Sequence, residues 1–200
     1  MTIMIEIERP ARTAVLAPAK QRILDTADRL FYDEGIRAVG VDRLISSSSV
    51  TKATFYKHYG SKDRLIGDYV DHRHHTAVEQ LADLVDQHRE PEAALRALQE
   101  TIATQISSPE FRGCPFINAA AEFSDATHPV RRSVVAHREW FVGVLEQLLR
   151  GLGHPLAGDA ADELMLARDG AMTGGYAGDP IAATTALART FDRVIGDARH

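Results

Sequence analysis

VDRLISSSSVTKATFYKHYGSK, residues 41–62, divides into two short helical patterns around a polar turn. Val41, Leu44 and Ile45 give the first an apolar face, and the run Ser46 to Ser49 can hold its end and the turn. Val50 fills the corner, Thr51 stands where an N-cap belongs, and Phe55 and Tyr59, four apart, anchor the second helix to a core. Lys52, Ala53, Tyr56 and Lys57 then face outward, with Thr51 and Thr54 at the helix start. Cations, hydroxyls and a phenol on the free side of a short helix suit a major groove flanked by phosphates. Lys52 and Lys57 can donate to guanine O6/N7 or to phosphate, Tyr56 and Thr54 to phosphate, and Ala53 can approach a thymine methyl. Arg43 on the first helix is a further phosphate candidate. The pattern is a helix-turn-helix, and its second helix is the reading element.

The run from Val50 through Thr51, Lys52, Ala53, Thr54, Phe55, Tyr56, Lys57, His58, Tyr59, Gly60 and Ser61 to Lys62 resembles the signature of the TetR (tetracycline-repressor-like) family of bacterial transcription regulators. The likeness reaches back to Ile23 and covers about the first third of the chain. A second stretch, GCPFINAAAEF at 113–123, resembles the regulatory domain of one subgroup. The chain departs from the family at Ser49, where the turn usually has glycine, and at Gly40, where serine or threonine often stands. If Ser49 takes a positive φ, it does so against a steric cost that glycine avoids, so a strained or reshaped turn is expected. The resemblance implies that Lys62 sits on the DNA backbone at the start of the next helix and that His58 lies close to DNA.

Length and composition fit this reading. Two hundred residues make one or two domains with a real core. An apolar share of 44% and a charged share of 26% are ordinary for a soluble protein. One cysteine excludes an intrachain disulfide and fits a reducing cytoplasm. The opening MTIMIEIERPARTAVLAPAK has no sustained apolar run, so no signal peptide is expected, and nothing approaches the roughly 20 apolar residues of a membrane span. The net charge of -5 argues at first against nucleic acid. Divided at residue 64, however, the chain has 11 Lys/Arg against 8 Asp/Glu in its first part and 12 against 20 in the rest. The basic third is the one that contains the helix-turn-helix.

Periodicity predicts an all-α architecture in three parts, a flexible arm at 1–18, the helix-turn-helix DNA-binding domain at 19–64 and a helical body at 65–200, and the resemblance implies that the body is a regulatory and dimerisation domain. In the arm, Arg9 and Arg12 could reach a minor groove. A helix from Ala19, with Lys20 and Arg22 near phosphates, ends at Gly35 as a left-handed cap. Ser61 caps a long helix to about Gln87 that starts in the head and ends in the body. Further helices open at Pro91, Pro115, Pro129, Asp159 and Ile181. The last two are rich in Ala and Gly; the resemblance implies that they build a four-helix bundle with a second copy. A two-fold dimer would set two reading helices roughly 34–36 Å apart, one DNA turn.

Other constellations carry weaker chemistry. Asp68/His72 and Asp71/His75, with His74 nearby, have the i,i+4 spacing of metal ligands, but no third ligand is marked, and neither metal nor cofactor is expected. The histidines point instead to mild pH tuning of the long helix. Cys114 with His128, His137 or Glu122 raises a hydrolase or an oxidation sensor as a remote alternative. A sensor needs a pocket, and Phe116, Asn118, Glu122, Phe123, Trp140, Met165, Asp169, Met172 and Tyr176 mix aromatic and methionine surface with a few polar groups, as ligand cavities do. The combined expectation is a homodimeric repressor on a palindromic operator, released by a small-molecule effector, with an effector-independent or partner-controlled regulator as the alternative.

Overall fold

The computed structural model describes residues 7–9 and 16–198, so Pro10 and Arg12 of the expected arm lie outside the described residues. Among the described residues regular structure is entirely helical: α1 (Pro18–Glu34), α2 (Val41–Ser47), α3 (Lys52–His58), α4 (Lys62–Gln87), α5 (Pro91–Ile106), α6 (Pro115–Glu122), α7 (Pro129–Leu152), α8 (Ala157–Ala177) and α9 (Pro180–Asp197). Proline opens α1, α5, α6, α7 and α9, where its missing N–H has no intrahelical partner to lose. Asp179 adds a side-chain cap to α9, accepting from the amides of Ile181 at 2.8 Å and Ala182 at 3.1 Å. Gly35 ends α1 at φ 94° and ψ 147°. That ψ is not the left-handed value the sequence suggested; the pair is open in practice only to glycine.

The chain forms two compact units. One unit holds residues 16–76 and 115–136 of the described chain. Its core is the apolar stripe of α1 (Ile23, Leu24, Ala27, Leu30, Phe31) against Leu44, Phe55, Tyr59 and the first turns of α4. Phe31 meets Tyr69 edge-on at 5.4 Å, and Arg73 pairs with Asp28 at 2.5 Å. The start of α4 therefore belongs here because Leu65, Ile66, Tyr69 and Val70 are buried in this core, each contributing about 1.5–3 kcal/mol. α6 joins it through contacts with the α1–α2 turn given below, and Arg131 on the first turn of α7 donates to the Phe123 carbonyl at 3.1 Å.

The second unit holds residues 7–9, 77–114 and 137–198. α8 and α9 lie close because their facing positions are small: a Cβ on Gly174 would stand 3.8 Å from the Ala183 Cβ. α8 also presses on α5, where a Cβ on Gly175 would meet Ile106 Cγ2 at 2.3 Å. Arg96 on α5 bonds Asp192 on α9 at 2.8 Å, and Arg193 on α9 pairs with Glu163 on α8. Arg9 is held here, by Asp83 at 2.7 Å and Asp86 at 2.5 Å on α4, so its guanidinium is engaged by carboxylates. No helix is long and apolar enough to cross a membrane among the described residues.

Candidate nucleic-acid interface

α2 and α3 are each seven residues long, too short to be stable alone, and depend on anchors and caps. Leu44 anchors α2, while Val41, Ile45 and Val50 are only half-buried. Ser48 is buried and donates its hydroxyl to the Leu44 carbonyl at 2.6 Å, which ends α2. Ser49 follows at φ 53°. The turn thus keeps the left-handed step, and a serine bears the steric cost that glycine avoids. Thr51 then caps α3, accepting from the Thr54 amide at 3.1 Å and sharing a hydrogen bond between hydroxyls at 2.8 Å. Such a cap contributes about 1 kcal/mol. It also engages both threonine hydroxyls with each other.

Phe55 and Tyr59 are buried on the inner side of α3, and the Tyr59 hydroxyl donates to the Lys20 carbonyl at 3.2 Å. Burial pushes the Tyr59 phenol above its ordinary range, reinforced by Asp68 and Asp25. The outer side carries Lys52, Ala53, Tyr56 and Lys57, all exposed. Tyr56 is 44% exposed although its ring packs edge-on against Phe55 at 5.4 Å, so the phenol is oriented by a buried neighbour and still free at its tip. His58 is half-buried at the end of the helix.

Other expected contacts are committed within the unit. The Lys20 ammonium pairs with Asp68 at 2.8 Å and lies over the Tyr59 ring. Arg43 bonds Glu34 at 3.3 Å and remains exposed. The Lys62 ammonium donates to the Ile36 carbonyl at 2.6 Å; burial lowers its pKa, against the opposing pull of Glu122 and Asp63. Glu122, expected at a ligand site, accepts from the amides of Ile36 at 2.8 Å and Arg37 at 2.6 Å. Hydrogen bonds to a charged acceptor are worth about 1.5–3 kcal/mol each. Next to it Phe123 stacks on His128 at 4.3 Å and lies under the Arg37 guanidinium at 5.5 Å. Sequence reading passed over Ile36 and Arg37; the only signal for them was the glycine before them.

The remaining ligand-site candidates divide between the units. Phe116 is buried and Asn118 half-buried in the unit that contains α3. Trp140, Met165, Asp169, Met172 and Tyr176 belong to the second unit. There Met165 and Met172 are buried, Trp140 packs edge-on to Phe141 at 5.9 Å, and Tyr176 is 54% exposed. The Asp169 carboxylate binds two guanidiniums, those of Arg138 and of Arg168. Arg168 is itself buried, lies over the Phe141 ring at 4.9 Å, and points N–H groups at the Cys114 sulfur at 3.7 and 3.8 Å. Arg168 is a further residue that sequence reading missed, and its signal was the Arg168-Asp169 pair within α8.

Cys114 is 3% exposed and has that cation for a neighbour, whereas His128 and Glu122 lie in the other unit. His137 packs against Trp140 and Phe141. In the histidine run, Asp68 is taken by Lys20, and burial lowers the His74 pKa, helped by His75 and opposed by Asp71. No three His, Cys, Asp or Glu side chains converge on a metal position among the described residues.

Comparison with known proteins agrees with this geometry. Residues 23–69 match the family model described as "Bacterial regulatory proteins, tetR family", and residues 91–152 match "Tetracyclin repressor-like, C-terminal domain". The chain is similar to the crystal structure of SCO4454, a TetR-family transcriptional regulator from Streptomyces coelicolor, at 38% identity, a TM-score of 0.87, and coverage of 91% of this chain and 96% of that one. A TetR-type regulator (sav143) from Streptomyces avermitilis shares the fold at 23% identity and a TM-score of 0.78, over 89% of this chain and 98% of that one. The HTH-type transcriptional regulator LmrA of Bacillus subtilis is 29% identical over 138 residues, 68% of this chain and 73% of that protein. The chain belongs to the TetR family of transcriptional regulators, and α2–turn–α3 is its DNA-binding helix-turn-helix.

Proposed function

We propose that the protein is a cytoplasmic homodimeric repressor that reads a palindromic operator with the outer face of α3 and leaves it when a small molecule binds the second unit. The observation that carries the reading is the state of that face: Lys52, Ala53, Tyr56 and Lys57 are exposed on a helix whose opposite side is fixed by Phe55 and Tyr59. Lys52 and Lys57 address guanine edges or phosphates, Ala53 a thymine methyl, and Tyr56 a phosphate. Thr51, Thr54, His58, Arg43 and Lys62 support the face by capping, packing and pairing, with Arg43 and His58 at its edge.

Dimerisation is supported by a groove of about 380 Å³ along α8 and α9, lined by Ala167, Gly170, Ala171, Gly174, Ala183 and Ala186 among others. Small residues at i, i+3, i+4 and i+7 let another helix approach closely. Leu166 and Ile181 on the same helices are 69% and 77% exposed, an apolar surface that a second copy would cover. Release then requires only an effector that binds better to the arrangement unable to hold DNA. In the second unit such a molecule would meet Trp140, Met165 and Met172, since the Arg168 guanidinium and the Asp169 carboxylate are already paired with each other.

The test is selection of duplexes from a random-sequence pool, followed by titration with Tyr56→Ala and Lys57→Ala. Each substitution weakens binding to the selected palindrome by about 1–3 kcal/mol with the helical content intact. Unchanged affinity in both variants removes the assignment of the reading face.

A further inference from the structure

Glu122 is the last residue of α6, where the carbonyl end of the helix disfavours a carboxylate, and the last turn of α6 has no basic residue to offset it. A charge placed against a local rule calls for a partner elsewhere. The partner is the α1–α2 turn. Gly35, at φ 94°, lets the amides of Ile36 and Arg37 point in one direction, a small anion receptor built from backbone. Each oxygen of Glu122 takes one of them, at 2.8 and 2.6 Å. A Cβ at position 35 would stand 3.4 Å from Glu122 Oε1, an ordinary contact, so the backbone conformation and not space for the carboxylate calls for glycine here. The other side of the same peptide is held as well: the Ile36 carbonyl accepts from the Lys62 ammonium at 2.6 Å. Lys62 is the first residue of α4 and follows the end of α3 by four positions.

We propose that Glu122 is a positioning residue for operator reading, fixing the α1–α2 turn and, through Ile36 and Lys62, the seating of α3. This assigns its carboxylate to the protein's own backbone, not to an effector, and it rests on the reading of α3 given above. The charge of Glu122 also serves Lys62, whose half-buried ammonium it stabilises together with Asp63. Removing that charge loosens the turn and weakens the hold on the carboxy-terminal end of the reading helix at the same time. Arg37 is part of the assembly, its amide on Glu122 and its guanidinium over Phe123.

The experiment uses the full chain and Glu122→Gln, which keeps size but replaces one acceptor by an NH2 group that opposes an amide N–H. Two duplexes serve as probes: a palindrome selected by the wild-type protein and a random-sequence duplex of equal length. Expected is a loss of roughly tenfold or more on the selected palindrome, comparable to losing one base contact. Affinity for the random duplex, which depends on charge alone, stays within about twofold. A general loss of folded protein would lower both. Amide hydrogen exchange gives a readout that needs no DNA: in the wild type the Ile36 and Arg37 amides are protected, and in E122Q they exchange faster. Wild-type amides exchanging at the rate of free backbone, or an E122Q variant that holds the selected palindrome as tightly as wild type, would overturn the proposal. A wild-type protein that selects no duplex would remove the DNA reading and this role with it, while the exchange data still decide whether the clamp exists.

Discussion

Gly175→Ala tests the contact that lets α8 lie on α5. The built Cβ stands 2.3 Å from Ile106 Cγ2, whereas carbon atoms in contact sit about 3.5–4.0 Å apart, so the added methyl overlaps by more than about 1 Å. Ile106 is buried and β-branched, with little rotamer freedom to move its methyl away. Overpacking of this kind costs about 1–3 kcal/mol, and the Gly→Ala gain in helix propensity returns about 1 kcal/mol of it. The net expectation is a loss of up to about 2 kcal/mol. Ile106→Ala alone is worse, at about 2–5 kcal/mol, because it opens a cavity. In that background the clash is gone, since the nearest remaining atom, the residue 106 Cβ, is 3.6 Å away. Gly175→Ala should then stabilise, giving a coupling energy of about 1–3 kcal/mol. Gly143→Ala in α7, where a Cβ meets nothing within 4 Å, is the control and should stabilise by about 1 kcal/mol. Denaturant unfolding at one fixed protomer concentration provides all five values. If Gly175→Ala stabilises as much as Gly143→Ala, or the coupling is under about 0.5 kcal/mol, the close approach of α8 and α5 is refuted.

Ser49 sits at φ 53°, so Ser49→Gly relieves a cost of about 1–2 kcal/mol and loses about 0.4–1 kcal/mol to unfolded-chain entropy, a net gain of up to about 1.6 kcal/mol in thermal melting. Ser49→Ala keeps the Cβ and should gain nothing; equal stability of the two variants would show that the turn is not strained. Tyr59 and Tyr69 both have phenols raised above the ordinary 10.0, mainly by burial. Their protonated forms therefore favour the fold, a contribution complete below pH 10 and lost as pH rises beyond it through the folded values. Phenolate absorbance should show a late component that diminishes in Tyr59→Phe and in Tyr69→Phe; ionisation of both at the ordinary pH would contradict their burial. Ile181→Asp and Leu166→Asp place a charge on the α8–α9 surface and should shift sedimentation toward monomer while weakening operator binding. A wild-type protein that sediments as a monomer at micromolar concentration would end the dimer proposal.

Local pattern was enough for the helices, because their information is local. The apolar stripe of α1, the Phe55–Tyr59 pair, the Thr51 cap and the prolines at helix starts each act within a few residues, and every one has its structural counterpart. The outward set Lys52, Ala53, Tyr56 and Lys57 was legible for the same reason, since anchoring one side of a helix fixes what the other side presents. Tertiary structure alone decided where the long charged side chains went. Lys20, Lys62, Arg9 and Glu122 had several plausible destinations from sequence, and their observed partners, Asp68, Ile36, Asp83 with Asp86, and the 36–37 amides, are 26 to 86 positions away. It also put α6 in the unit that contains α3 and buried Arg168 beside Cys114. Such pairings depend on which surfaces packing brings together, and helical periodicity, which repeats every 3.6 residues, contains nothing about contacts at that separation.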